Sequence, residues 1–126
     1  MVIKINASVI GTANVQKFLK GKSKEVLNLA EKGIKEAGWH IQGEVVESIS
    51  GHRAEPTSVD TGRFKNSIQA TQDKPLTAKI YTNVEYAGAL EYGTSKMRPR
   101  RHFTNTAKRT EPKVKDFIEA KIKAII

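Results

Sequence analysis

Between Ser23 and Gly51, apolar residues return at every third or fourth position. Leu27, Ala30, Ile34, Ala37, Ile41, Val45 and Ile49 make one continuous stripe. This spacing follows the period of an α-helix and predicts one long amphipathic helix over residues 23–50. Ser23 is its expected N-cap and Gly51 its expected stop. Three glycines, Gly33, Gly38 and Gly43, interrupt the helix interior. Each costs roughly 1 kcal/mol against Ala, so each calls for a reason. Gly38 falls on the apolar stripe, where it would let another backbone approach. Gly43 falls on the far side with Trp39 and Val46. Together these three form a second, smaller apolar patch, read as a subunit or partner contact because Trp is a favoured interface anchor. The competing reading is burial by the chain's own loops.

The remaining elements are shorter. Residues 2–9 alternate apolar and polar, which predicts a strand. Residues 14–20 are compatible with a short helix between Asn14 and Gly21. Residues 51–59 are polar and contain a Pro, and predict an exposed, mobile loop. Asp60-Thr61-Gly62 opens a helical turn, with Asp60 as N-cap and Phe64 packing inward. Ser67–Thr71 and Thr77–Val84 read as strands joined by a hairpin connection. Tyr86–Tyr92 reads as a helix closed by Gly93. Thr94–Arg101 is a basic loop. Residues 101–109 read as a short helix, and Thr110-Glu111-Pro112 as the start of a new one, with Thr110 capping and Pro112 in its first turn. Its stripe is Val114, Phe117, Ile118, Ile122 and Ile125. A chain of 126 residues suits a single domain. Its parts are 1–22, the long helix 23–50, the sheet and short helices at 60–95, and the basic loop and last helix at 96–126.

Charge is concentrated at one end. The chain holds 22 Lys and Arg against 13 Asp and Glu, a formal net charge of +9. Residues 96–126 alone carry ten basic and three acidic residues. Lys96, Arg98, Arg100, Arg101, Lys108 and Arg109 follow one another with no acid between them. Such a segment attracts an acidic protein surface or a polyanion; the plainer reading is a solvated helix face. A small basic nucleic-acid-binding protein is therefore the alternative function, although aromatics are only 6% and no stacking platform is evident.

Little in the sequence points to chemistry. There is no Cys, which removes a thiol nucleophile, thiolate metal sites and a disulfide scaffold. The three His lack metal-ligand spacing, and no phosphate-cradling Gly motif occurs. Asp60-Thr61-Gly62 is also the aspartic-protease triplet, but that chemistry needs two such Asp residues sharing a proton. Neither enzyme activity nor any cofactor or metal is expected. No apolar run approaches the roughly 20 residues of a membrane span, and residues 1–30 lack a signal-peptide core, so the reading is a soluble protein without a membrane partner.

Three segments carry a family resemblance. They are Val59-Asp60-Thr61-Gly62-Arg63-Phe64-Lys65-Asn66-Ser67-Ile68; Val84-Glu85-Tyr86-Ala87-Gly88-Ala89-Leu90-Glu91-Tyr92-Gly93-Thr94; and Lys96-Met97-Arg98-Pro99-Arg100-Arg101-His102-Phe103. In this order, over about residues 25–126, the chain resembles the tail-component family of tailed bacteriophages. That family shows V-D-T-G-x-L-x-x-S-I, then a strand, then Y-A-x-x-x-E-x-G-T, then a basic R-P-F segment and a final helix. Phe64 replaces the usual Leu, and Arg100-Arg101-His102-Phe103 is a looser form of R-P-F. The resemblance implies an α+β fold, with a long helix on a small antiparallel sheet and a C-terminal helix. It implies a non-enzymatic virion protein of the neck or tail, made in the host cytoplasm. This protein would assemble as a homo-oligomeric ring between head–tail connector and tail proteins, with non-specific contact to DNA in the channel as an addition. The contact residues expected are Trp39, Gly43 and Val46 on the helix, Lys96, Arg98, Arg100 and Arg101 on the loop, and the 51–59 loop. Asp60, Thr61, Gly62, Phe64, Tyr86, Glu91, Gly93 and Thr94 are expected to shape the motifs.

Overall fold

The longest element is α1, Lys24–Ile49. Six of its seven stripe residues are buried, and Leu27 is half-buried at the edge of the same core. The chain leaves α1 as the sequence predicts. Gly51 has φ +84°, a left-handed conformation that suits Gly. The Gly51 N–H donates to the Ser48 carbonyl at 3.1 Å and the His52 N–H to that of Glu47 at 3.0 Å. This is the paired bonding of a Schellman stop.

The protein is described here from a computed structural model, which covers residues 2–6, 24–59, 62–72 and 77–123. The elements after α1 are a single-turn helix α2 (Arg63–Asn66), strands β2 (Gln69–Thr71) and β3 (Thr77–Tyr81), a short helix α3 (Ala87–Tyr92) and a long helix α4 (His102–Lys123). Strand β1 (Val2–Asn6) precedes them all. The three strands form an antiparallel sheet in the order β1-β3-β2. Ile3 is registered opposite Ile80, and Ala70 lies opposite Ile80 on the other side. Strands β2 and β3 are shorter than the sequence predicts, and residues 7–9 of the first expected strand lie outside the described residues, but the fold is the α+β arrangement expected. The expected helix at 14–20, the Ser23 cap and most of the hairpin connection lie outside the described residues.

The core lies where α1 meets β3 and α4. Ala78 and Ile80 come from the sheet, Phe64 and Ile68 from α2 and the segment after it, and Phe103, Val114 and Ile118 from α4. A buried aliphatic or aromatic side chain contributes roughly 1.5–3 kcal/mol, so these three elements hold one another. Gly38 admits the sheet, but through a side chain rather than the backbone expected: a Cβ there would stand 3.1 Å from the Ala78 Cβ. The tighter approach is at Gly33, for which the sequence supplied no reason. A Cβ at Gly33 would lie 2.9 Å from the Ile118 Cα and 3.0 Å from the Phe117 carbonyl oxygen. Backbone meets backbone there, and α4 can lie along α1 because residue 33 has no side chain.

The sequence predicts two helices after residue 101, and the structure has one. Helix α4 runs through Pro112 without a break. Thr110 does not cap a new start: its hydroxyl donates back to the Thr106 carbonyl at 2.8 Å. Proline removes one helical N–H, but Pro112 is on the exposed side, as is Lys108, whose carbonyl lacks that donor. Water can serve that carbonyl, while Thr106, Thr110, Val114 and Ile118 stay buried on the inner face. Packing along one continuous face outweighs the local breaker.

The glycines separate two effects in one helix. Gly33→Ala should destabilise the protein by about 1–3 kcal/mol through overpacking. Gly43→Ala should be neutral or stabilising by up to about 1 kcal/mol, since nothing lies within 4 Å of its Cβ position. Urea unfolding of both variants checks this; equal effects would contradict the packing described.

A candidate interaction site set on a buried polar network

Gly93 ends α3 at φ +78°. A Cβ there would stand 2.7 Å from the Met97 carbonyl and 2.8 Å from Pro99, so glycine is required by close contact as well as conformation. The following loop folds back on α3. Thr94 and Met97 exchange backbone hydrogen bonds, and the Arg100 N–H donates to the Leu90 carbonyl at 2.8 Å. Arg101, at φ +56°, then turns the chain into α4; its carbonyl accepts the Asn105 N–H at 2.9 Å, but its side chain has no acceptor for the other free N–H groups.

Glu91 supplies that acceptor from α3. It is 1% exposed. One carboxylate oxygen accepts the Phe103 N–H at 2.9 Å; the other accepts the Thr104 N–H at 2.8 Å and the Thr104 hydroxyl at 2.6 Å. These are the free donors of a helix N-terminus, where negative charge is favoured. The Glu of the Y-A-x-x-x-E-x-G-T pattern is thus the cap of the next helix, delivered through space.

A second buried network lies beside it. Glu55, in the 51–59 loop, accepts two hydrogen bonds from the Arg109 guanidinium at 2.7 Å, one from Asn105 at 3.1 Å and one from the Ser48 hydroxyl at 2.5 Å. The bond from Arg109, first, and those from Ser48 and Asn105 hold the Glu55 carboxyl at a pKa of about 2, against the opposing effect of burial. The network also orients His102, which is fully buried. Because the Ser48 hydroxyl donates to Glu55, it accepts from His102 Nδ1 at 2.8 Å. His102 Nε2 is then the acceptor for the Ser58 hydroxyl at 2.7 Å. Burial pushes the His102 pKa down, which favours this neutral form. The Ser58 oxygen in turn accepts from Arg100 Nη1 at 2.9 Å, and the same nitrogen donates to the Thr57 carbonyl at 2.6 Å. The sequence Glu55–Ser48–His102–Ser58–Arg100 is therefore a chain of hydrogen bonds of one sense. Arg109 neutralises its acidic end and Arg100 occupies the Ser58 oxygen, so the arrangement positions Arg100.

One expectation is corrected here. The 51–59 loop is exposed at most positions but is not free: Glu55 is buried, and the Ser58 N–H donates to the Ile49 carbonyl at 2.7 Å. Arg100 differs in setting from its neighbours: it is half-buried against this loop, whereas Lys96, Arg98 and Arg101 are exposed. Between the loop, α2 and α3 lies an open groove of about 700 Å³, lined by Ser58, Val59, Phe64, Tyr86, Leu90 and Arg100 among others. Phe64 is buried, with edge contacts to Tyr86 at 5.9 Å and His102 at 6.1 Å between ring centroids. Tyr86 is at the surface under the Arg63 guanidinium, and Arg63 pairs with Glu85 through two bonds of 2.9 Å. Gly62 holds the N-cap position of α2 at φ +85° without a side-chain cap; Asp60 and Thr61 lie outside the described residues. Thr94 accepts the Lys96 N–H at 3.2 Å through its hydroxyl.

The helix patch is a separate place. Trp39 is 56% exposed, with Lys35 Nζ 5.1 Å from its ring centroid. It borders a hollow of about 220 Å³ with Gly38, Ala70, Thr71 and Ala78. Gly43 is exposed, but Val46 is half-buried and packs against the core, so the outer patch is Trp39 and the edge of the sheet rather than a Trp39–Val46 pair. The sequence gives no sign of the roles of Ser48, Glu55 and Ser58, and shows His102 only within a motif segment and Arg109 only as one of a basic run. Their partners stand 44–54 residues away along the chain in the decisive bonds, and no spacing rule reports such pairs. Among the described residues no cluster of three or more His, Asp or Glu could hold a metal ion, and no helix is long and apolar enough to cross a membrane.

These features define a small α+β protein with a preset surface groove. The chain belongs to the family described as "Bacteriophage HK97-gp10, putative tail-component", which matches residues 13–93. The match takes in the first motif and the second as far as Gly93, and ends before the basic loop and α4. No curated protein and no solved structure matches the chain.

Two measurements test the polar network. Glu91→Gln should cost about 1–3 kcal/mol in urea unfolding, because charge-assisted bonds to the N-terminus of α4 are weakened. Stability should also depend on pH in two steps. His102 is harder to protonate folded than unfolded, so stability should fall as pH drops below about 6.5. Glu55 gives up its proton more readily folded than unfolded, so a further loss, of order 3 kcal/mol, should follow from pH 4.5 towards 2. His102→Gln should abolish the first step and leave the second; a midpoint that is flat between pH 7 and 5 in the unmodified protein would contradict the first.

Proposed function

We propose that this chain is a non-enzymatic structural protein of the head–tail junction, a neck or tail-completion component of the virion. It assembles into a homo-oligomeric ring between the connector and the tail. The observation that carries the reading is membership of a tail-component family together with two separate surfaces suited to contact. The first is the exposed Trp39 beside β2, the outer strand of the order β1-β3-β2, whose far edge has no strand partner among the described residues. An open edge and an exposed Trp are features that protein contacts cover. The second is the loop carrying the exposed Lys96, Arg98 and Arg101. A ring needs two different, mutually fitting faces on each subunit, closing by rotation. The same cations favour a second reading, a small nucleic-acid-binding protein, with contact to DNA in the channel as the point where the two meet.

Light scattering of the protein, alone and mixed with the connector and tail-tube proteins of the same phage, should give a ring-sized multiple of its mass. Trp39→Ala should weaken that assembly by about tenfold or more. Phage lacking the protein should yield filled heads and unjoined tails. Joined particles in its absence would overturn the reading. Tight binding of short duplex DNA by the monomer, with a steep salt dependence, would favour the alternative.

A further inference from the structure

The two arginines of the groove are in different states. Arg63 is held by Glu85 in a two-pronged pair. Arg100 has no carboxylate partner among the described residues. One of its terminal nitrogens, Nη1, is spent on Ser58 and Thr57, which leaves Nε and Nη2 without a partner there. These two nitrogens form the edge of a guanidinium that matches a carboxylate with two parallel hydrogen bonds. Ser58, backed by His102, Ser48 and Glu55, holds the group in place, so little side-chain freedom remains to be lost on binding. Beside it the groove is mixed: Phe64 and Leu90 give it one apolar wall, with Val59 and Tyr86 at the surface, and Thr57, Ser58 and Arg63 line the rest.

We infer that this groove docks a short acidic segment of another virion protein, with an Asp or Glu carboxylate on Arg100 and a neighbouring apolar side chain against Val59, Phe64, Tyr86 and Leu90. Charge complementarity selects the occupant. The exposed Lys96, Arg98 and Arg101 flank Arg100 in sequence, and residues 96–126 carry ten basic residues against three acidic. The apolar wall and the half-buried setting of Arg100 favour a side chain entering the groove over a phosphate on the outside of a duplex. The inference takes its choice of partner from the proposed virion role, but it does not require a ring.

The test uses the purified full chain against an array of overlapping 12-residue segments covering the phage's structural proteins. Bound segments should share an Asp or Glu next to an apolar residue. Arg100→Gln should lower their affinity at least tenfold, and Arg100→Lys nearly as much, because Lys lacks the fork. Val59→Asp, at an exposed position on the groove wall, should have the same effect, by repelling the incoming acid and competing with it for Arg100. Thermal melting confirms that each variant is folded. No bound segment, bound segments without a shared acid, or affinity unchanged by Arg100→Gln and Val59→Asp would overturn the inference. So would a 20-base-pair duplex that binds more tightly than the segments and loses affinity with Arg100→Gln. A chain that binds acidic segments but forms no ring with connector proteins would refute the ring alone.

Discussion

The carboxylate of Glu91 on the first turn of α4 decides where that helix begins. Three donors, the N–H groups of Phe103 and Thr104 and the Thr104 hydroxyl, converge on it in a buried place. An unmet N–H there costs about 1–3 kcal/mol, so the start of the helix cannot slip by a residue without penalty. With the start set, Phe103, Thr106, Thr110, Val114 and Ile118 fall on one face and run along α1. A shift by one residue would turn that face by about 100° and bring polar residues inward. The long helix pair, the core between them and the place of the basic loop all follow from that cap.

The same junction carries the surface chemistry. Arg100, Arg101 and His102 are consecutive, yet each has a different task. Arg100 turns back onto the 57–58 carbonyl and hydroxyl, Arg101 takes the left-handed turn, and His102 is sealed between two serines. Structural and contact roles therefore meet within three residues. The exposed cations sit at the end of a tightly held loop, and a preordered surface loses less freedom on binding than a mobile one.

Much of the fold was legible because it is periodic. The α1 stripe named the buried face residue by residue, and Gly51 and Gly93 marked two real ends. The motif segments were legible as a family signature, although the match ends at Gly93 and leaves α4 outside it. Less legible was anything made by residues far apart. Glu55 reads in sequence as a loop acid, and Arg109 as one more member of a basic run. Their pairing needs α4 to lie beside the end of α1, which no local pattern reports. Pro112 misled for a related reason, since local propensity favoured a new helix while burial of the face on both sides of it favoured one.

The amino-acid sequence by itself determined the long helix, its buried face, the antiparallel strands and the concentration of charge after Gly93. These depend on spacing and residue type, which act within a few turns of chain. Only the tertiary structure decided that Gly33 is the point where two backbones touch, that α4 is continuous, and that Glu91 caps it. It also decided which cations are held and which are free. Those outcomes depend on which distant groups are brought within hydrogen-bond or van der Waals reach, and on the penalty for leaving a buried polar group unmet.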